Sequence, residues 1–255
     1  MNNIFDSHCH YCDDKFNEDR DEVLKYLQEN GVVAIIHAGA GLDTSRFGVE
    51  YSAKYPFMYT SVGVHPEEIT DLPADYLQQL EEMAKSPKVI AIGEIGLDYH
   101  YEGYNRDMEI KVFEEQLKLA QKLNLPVIIH SRDATEDCMN LLKKYKPRGV
   151  MHCFSGSAET AREVQALGMY VSFTGVVTFK NSKKAQEAVL AVANDRLLLE
   201  TDCPYMAPEP FRGERCDSTM IPYIAEKIGG LKGMTGQEVL NICTENTCKL
   251  FHIEL

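Results

Sequence analysis

Eight short runs of apolar and β-branched residues recur along the 255-residue chain, and each has the length of one buried β-strand. Amphipathic stretches lie between most of them, and the clearest covers residues 106–124, where apolar side chains recur every three or four positions. Strands that alternate with helices pair in parallel through right-handed crossovers. Eight such units in about 250 residues predict one single-domain (β/α)8 barrel over residues 1–255.

The predicted strands cover residues 4–10, 32–37, 57–64, 89–94, 127–130, 149–152, 170–173 and 197–200. The predicted helices cover residues 19–30, 77–85, 106–124, 134–144, 158–167, 183–193, 219–228 and 236–251. A doubly wound open sheet is the alternative fold. It is disfavoured because the turn after the first strand reads His8-Cys9-His10 and has no Gly-rich phosphate-binding pattern.

The cellular compartment is predicted from the absence of a secretory signal and of a membrane-spanning segment in the sequence. The N-terminal residues lack the basic and apolar regions of a secretory signal, and no run of 18 apolar residues occurs. We therefore expect a cytoplasmic protein without membrane association, and its eight cysteines are interpreted mainly as small core residues. No obligate protein partner can be read from the sequence.

Ionisable side chains stand at the C-terminal ends of the predicted strands, which in a (β/α)8 barrel meet at one mouth where the active site lies. Taken singly, each is compatible with a satisfied buried residue, but the coincidence across five strands favours a shared site. His37 is interpreted as structural. The side chains at or just after the strand ends are His8, His10, His37, His65, Glu94, His130, His152 and Asp202.

Six of these residues are candidate metal ligands. His8 and His10 are two apart in a strand and share a face, so both imidazoles can reach one ion. Glu94 follows nearly apolar strand residues, where a carboxylate is costly unless it is paired or binds a metal. Six ligands exceed the needs of one tetrahedral zinc and fit two divalent cations, Mg, Mn or Zn, that share a carboxylate. The six are His8, His10, Glu94, His130, His152 and Asp202.

A two-ion site predicts hydrolysis by a metal-activated water, with Asp202 as the proton acceptor. His65 is a candidate for binding a substrate phosphate or orienting the water, and Glu200, on the same strand face as Asp202, for relaying a proton. Aromatic and cationic residues in the loops suit an unpaired nucleic-acid strand, although the net charge of −13 opposes binding unless bound cations reverse the local field. The predicted substrate contacts are His65, Tyr99, Arg132, Tyr205 and Arg212.

Seven motifs together resemble the TatD-type metal-dependent hydrolases: FDSHCH, GVHPEE, AIGEIGLDY, LPVIIHSRDA, MHCFSGS, VSFTGVVTFK and LLLETDCPYMAPEPFRG. The resemblance implies a barrel with two divalent ions and a 3′ to 5′ exodeoxyribonuclease activity on single-stranded DNA, sometimes also on RNA. It implies that His8, His10, Glu94 and Asp202 bind one ion, and that Glu94, His130 and His152 bind the other. It also implies that His65 and Glu200 lie near the scissile phosphate.

The chain departs from the family pattern after PEPFRG, where KRNEP is common and this sequence reads ERCDSTM. The departure bears on substrate preference more than on chemistry. Two alternatives to a nuclease remain open: a metal-dependent ester or amide hydrolase, such as an aminoacyl-tRNA deacylase, and a non-catalytic barrel that binds metal or a partner.

Overall fold

Eight parallel strands form one sheet in the order β1-β2-β3-β4-β5-β6-β7-β8 in the computed structural model, which describes residues 1–255. The predicted (β/α)8 barrel is confirmed. The strands are β1 (Ile4–Cys9), β2 (Val32–His37), β3 (Met58–Val62), β4 (Val89–Asp98), β5 (Val127–Arg132), β6 (Gly149–Met151), β7 (Tyr170–Phe173) and β8 (Leu197–Leu199). The helices are α1 (Arg20–Glu29), α2 (Leu42–Lys54), α3 (Tyr76–Met83), α4 (Arg106–Leu123), α5 (Thr135–Tyr145), α6 (Ala158–Ala166), α7 (Lys183–Ala191), α8 (Ile221–Lys232) and α9 (Gly236–Phe251).

Helix α2 is not predicted by the sequence pattern, and in this respect the sequence-based expectation is wrong. The buried positions of α2 are Ser45, Gly48 and Ser52, which are small or polar, so the helix shows no apolar repeat of period 3.6. Small side chains on this face leave room for close packing. Ser45 also accepts a hydrogen bond at its Oγ from the backbone N–H of Gly63, just after β3, at 3.2 Å.

Strand β4 continues four residues past its predicted end, from Glu94 to Asp98, and every residue in it is buried. The extension requires a glycine at position 96, which is opposite His130 in the β4–β5 register and has φ of +153°. A Cβ atom at this position would overlap the carbonyl oxygen of His130. The close approach carries β4 on to Asp98, in register with Arg132.

The chain divides into two compact units. The first unit comprises residues 1–37, 153–166 and 170–255, and the second comprises residues 38–152 and 167–169. In the first unit, backbone hydrogen bonds from Asp202 N to His8 O (3.0 Å) and from His10 N to Cys203 O (2.8 Å) join the ends of β1 and β8. In the second unit, α4 covers the sheet through Phe113 and Leu117, both fully buried. Burying each of these side chains contributes about 2 kcal/mol.

All eight cysteines are thiols, and five of them are buried. Burial raises the pKa of the Cys138 thiol to about 12, so it stays protonated and unreactive at neutral pH. This agrees with the interpretation of the cysteines as core residues. No helix combines the length and the hydropathy needed to cross a membrane.

Candidate metal centre

His8, His10 and Asp202 form the first cluster, which lies within the first unit. The Nε2 atoms of His8 and His10 are 3.0 Å apart, and they lie 3.7 Å and 3.3 Å, respectively, from Asp202 Oδ1. His8 is completely buried, and the side chains of the other two are 14% exposed. Asp202 has a φ of +59°, a left-handed conformation that aspartate adopts more readily than most residues. His8 and His10 share a strand face, as predicted, and both imidazoles therefore lie close to one carboxylate oxygen of Asp202.

A second carboxylate, that of Asp6, supports the first cluster from within the core. Asp6 Oδ1 accepts hydrogen bonds from the backbone N–H groups of His8 (3.2 Å) and Thr201 (3.0 Å). Asp6 Oδ2 accepts from the hydroxyls of Thr201 (2.5 Å) and Ser218 (2.6 Å). Burial raises the pKa of Asp6 to about 7, against the lowering effect of these four donors. Asp6 thus fixes the main chain at His8 and beside Asp202.

Glu94, His130 and His152 form the second cluster, which lies within the second unit. Glu94 Oε1 is 3.0 Å from His130 Nδ1 and 2.8 Å from His152 Nε2, and these two nitrogens are 3.4 Å apart. Glu94 and His152 are each 4% exposed. Three ligand atoms from strand β4, strand β5 and the end of β6 therefore converge on one point, as their sequence positions predict.

Asp98 belongs to the second cluster by its contacts, and the sequence reasoning does not identify it. Its Oδ2 is 2.9 Å from His130 Nε2, so it orients the imidazole and leaves Nδ1 directed at Glu94. Asp98 is buried, but hydrogen bonds from His130 and from the backbone N–H of His100 hold the pKa of its carboxyl below the usual value. The sequence does contain a signal for Asp98. It lies four residues after Glu94, and side chains an even number of positions apart in one strand point to the same face of the sheet.

His65 lies beside the second cluster. Its Nδ1 accepts a hydrogen bond from the backbone N–H of Glu67 at 3.2 Å, and its Nε2 is 3.5 Å from Glu94 Oε1. Burial lowers the pKa of His65 to about 3, so the imidazole is neutral near pH 7. Since Nδ1 is the acceptor, the neutral ring carries its proton on Nε2. His65 therefore presents an N–H donor beside the Glu94 carboxylate, and the phosphate contact stays a prediction.

Glu200 is completely buried, and its carboxylate has fixed partners in the first unit. One oxygen accepts a short hydrogen bond from the backbone N–H of Cys153, and the other is 3.5 Å from the hydroxyl of Ser7. These contacts fix the orientation of Glu200. His37, interpreted as structural, is buried at the end of β2 with its ring centroid 6.4 Å from that of His10.

The donor sets of both clusters fit divalent cations. Each consists of two imidazole nitrogens and one carboxylate oxygen, which suit zinc and other first-row divalent metals. Four ligand atoms about 2.1 Å from a tetrahedral ion lie about 3.4 Å from one another. The corresponding separations are 3.0–3.7 Å in the first cluster and 2.8–3.4 Å in the second. The residues present can therefore hold the metal that their chemistry implies.

Among the predicted substrate contacts, Arg132 and Arg212 form no salt bridge, in a chain where acidic residues outnumber basic ones by 39 to 26. Each guanidinium instead packs on an aromatic ring. Arg132 lies 5.1 Å from the ring centroid of Tyr101, and Arg212 lies 4.3 Å from that of Phe179. Both arginines retain N–H groups that can bind a phosphate.

The two predicted tyrosines use their hydroxyls within the protein. Tyr99 donates its O–H to Asp137 Oδ2 at 2.8 Å, and Tyr205 donates its O–H to Asp13 Oδ2 at 2.7 Å. Tyr205 is 46% exposed, and the Lys15 ammonium lies 4.3 Å from its ring centroid. Their O–H donors are therefore used, and each tyrosine has its hydroxyl oxygen as an acceptor and the uncovered face of its ring to offer a substrate.

The barrel and its two histidine–carboxylate clusters define a metal-dependent hydrolase. A family model described as TatD related DNase matches residues 5–252, and the chain belongs to this family. The resemblance recognised in the motifs is thereby confirmed.

Individual relatives match over nearly the whole chain. The uncharacterized metal-dependent hydrolase YabD of Bacillus subtilis (strain 168) is 43% identical over 253 residues, which are 98% of this chain and 99% of that protein. The 3′-5′ ssDNA/RNA exonuclease TatD of Erwinia billingiae (strain Eb661) is 30% identical over 259 residues, covering 98% and 99%. The crystal structure of YJJV, a TatD homolog from Escherichia coli K12, has a TM-score of 0.93 at 28% identity and covers 99% of both chains.

Proposed function

We propose that this protein is a metal-dependent phosphodiesterase that removes nucleotides from the 3′ end of single-stranded DNA, and also of RNA. The observation that carries the proposal is the presence of two histidine–carboxylate clusters at the ends of barrel strands. The name of the Erwinia relative, an ssDNA/RNA exonuclease, supports the same substrate class. A protein with the proposed activity would act wherever single-stranded DNA or RNA is exposed.

Two divalent cations are the proposed cofactors. His8, His10 and Asp202 would hold one, and Glu94, His130 and His152 the other. Bound divalent cations supply Lewis acidity, which lowers the pKa of water and offsets the negative charge that develops on a phosphoryl group. Mg, Mn and Zn are each compatible with these ligands.

Asp202 and His65 have separate proposed roles in proton transfer and substrate binding. Asp202 directs Oδ1 at His8 and His10, and we assign acceptance of the water proton to its Oδ2. His65 is neutral and carries its proton on Nε2, so it would donate a hydrogen bond to a phosphate oxygen without changing charge. Glu200, held by Cys153 and Ser7, would keep the surrounding main chain in place.

Arg132 and Arg212 are proposed to bind substrate phosphates. Neither cation forms a salt bridge, and each is held against an aromatic ring. A fixed guanidinium loses less side-chain entropy when it binds a phosphate than a mobile one does. Tyr99 and Tyr205 would each contribute the ring face that Tyr104 or Lys15 leaves uncovered, because their O–H donors are used within the protein.

The proposal is tested with metal-free protein on 5′-labelled single-stranded DNA, with Mg, Mn, Zn or EDTA. We expect a ladder that shortens from the 3′ end, requires metal and is lost in Glu94→Ala. Metal binding at two ions per chain without cleavage of DNA or RNA would overturn the proposal, and cleavage of an acyl ester in its place would identify an ester hydrolase. A folded, fully metallated Asp202→Ala protein with wild-type activity would remove Asp202 from the mechanism.

A further inference from the structure

The segment between β4 and α4 exposes two large aromatic side chains. Tyr101 is 53% exposed and Tyr104 is 45% exposed, and both lie within six residues of Asp98, which orients His130. Large exposed aromatic side chains beside a candidate active site are a common sign of a binding surface. This surface is continuous along the chain with the second cluster.

Tyr104 packs on a ring that is itself fixed. The rings of Tyr99 and Tyr104 are stacked, with centroids 4.7 Å apart and planes at 18°. Tyr99 is fixed through its hydrogen bond to Asp137, whose carboxylate also accepts two hydrogen bonds of 2.7 Å from Arg106. The other face of Tyr104 contacts no aromatic ring or cation. A flat, pre-ordered aromatic face is therefore open to a ligand.

Tyr101 and Arg132 add a cation to the segment that carries this stack, and the Tyr99 N–H donates to the Arg132 carbonyl at 3.0 Å. The Arg132 guanidinium lies over the Tyr101 ring, and its Nη1 donates a hydrogen bond of 3.1 Å to the Tyr101 hydroxyl. Arg132 forms no salt bridge, although its charge acts to lower the pKa values of Asp98 and Glu67 nearby. It donates one hydrogen bond to Tyr101, so its other N–H groups remain available for an anion. A planar aromatic face next to an unpaired guanidinium complements a nucleotide, which has a planar base and a charged phosphate.

We propose that Tyr99, Tyr101, Tyr104 and Arg132 form a stacking surface for unpaired nucleotides upstream of the scissile bond. A base stacks on the open face of Tyr104, and the adjoining phosphate pairs with Arg132. The inference rests on the proposed function, because it assumes a nucleic-acid chain at the neighbouring site. It predicts a preference for single strands, because the base faces of a duplex are covered by neighbouring base pairs.

The test is a double-mutant cycle between enzyme and substrate, made with the metal-loaded protein. Wild type and Tyr104→Ala are each assayed on a single-stranded oligodeoxynucleotide and on the same oligodeoxynucleotide with abasic residues upstream of the 3′-terminal bond. For wild type, we expect removal of these bases to raise KM about 5-fold to 150-fold, the range for losing one stacked base. For Tyr104→Ala, the two substrates should have similar KM values.

Two further variants separate stacking from loss of structure. Tyr104→Phe keeps the aromatic face and should retain the wild-type difference between the substrates. Tyr26→Ala removes a tyrosine of α1 that is 50% exposed, and it should also retain the difference. An equal response of wild type and Tyr104→Ala to base removal would overturn the inference while leaving the nuclease activity established.

Failure of the proposed function gives a different result. If wild type cleaves no nucleic acid, the proposed function is overturned, and the stacking surface is then tested by fluorescence anisotropy with a labelled oligodeoxynucleotide. Binding by wild type that weakens at least about 5-fold in Tyr104→Ala would support the surface alone. No binding, or equal binding by the two proteins, would overturn the inference as well.

Discussion

The two clusters are supported by carboxylates in different ways. In the first cluster, the Asp6 carboxylate holds the main chain, through the N–H groups of His8 and Thr201. In the second, the Asp98 carboxylate contacts the imidazole of a candidate ligand directly, at Nε2 of His130. The first arrangement couples ligand position to the stability of the fold, whereas the second controls the orientation of one ring. Perturbing Asp6 should therefore destabilise the protein, and perturbing Asp98 should mainly weaken metal binding.

The largest effect is expected from Asp6→Ala. The substitution removes the acceptor of four hydrogen bonds, and each buried donor left without a partner costs about 1–3 kcal/mol. We expect the free energy of unfolding to fall by about 4 kcal/mol in urea denaturation. Asp43→Ala removes an acid that is 97% exposed, and it should change stability by less than about 0.5 kcal/mol. Equal stabilities of the two variants would contradict the role given to Asp6.

Asp98→Ala should weaken metal binding at the second cluster by about 10-fold to 100-fold, because the imidazole of His130 loses the partner that orients it. Titration of the metal-free protein with Mn or Zn by calorimetry should show one weakened step and one wild-type step. Asp98→Asn retains an oxygen that can accept from Nε2–H, so its affinity should be closer to wild type. If both metal-binding steps of Asp98→Ala kept the wild-type affinity, the different roles given to the Asp6 and Asp98 carboxylates would be wrong.

Ser218→Ala tests whether the segment that departs from the family pattern supports the first cluster. Ser218 donates to Asp6 Oδ2 at 2.6 Å, and its hydroxyl lies 2.8 Å from that of Tyr11. Loss of one of four donors to Asp6 should lower the free energy of unfolding by about 1 kcal/mol, measured by urea denaturation. Restoration by Ser218→Thr would identify the hydroxyl as the cause. A Ser218→Ala protein as unstable as Asp6→Ala would show that the donors act as a single unit.

The smallest expected effect is the pH dependence of stability that Glu109 contributes in the second unit. Glu109 is buried and accepts a hydrogen bond of 2.8 Å from the backbone N–H of Asp98, and burial raises its pKa to about 7. Folding therefore favours the protonated acid, and this contribution is present below about pH 4.5 and is lost as pH rises through 7. Glu109→Gln does not titrate.

The stability of Glu109→Gln relative to wild type should increase between pH 5 and pH 8 by on the order of 1 kcal/mol. Denaturation of both proteins at the two pH values measures this difference, because the titration of groups that do not interact with Glu109 cancels. A relative stability that decreases over this range would mean that Glu109 is stabilised as the anion, opposite to the direction derived from its burial.

The strand pattern and its terminal residues could be predicted because both are local properties of the chain. Apolar runs of strand length locate the barrel strands, and alternation within a strand places His8 and His10 on one face. Helix α2 escaped prediction because its buried face consists of small residues and has no apolar period. The extension of β4 escaped prediction because it depends on the approach of Gly96 to His130.

By itself, the sequence determined the barrel, the family and the set of candidate ligands, because strand periodicity and motif identity are carried by neighbouring residues. Only the tertiary structure decided how the ligands are held. Asp6 meets Ser218 across 212 positions, and Asp98 meets His130 across 32. These partners were undetermined because hydrogen bonds depend on atomic separation and orientation, and periodicity does not specify either one between distant segments.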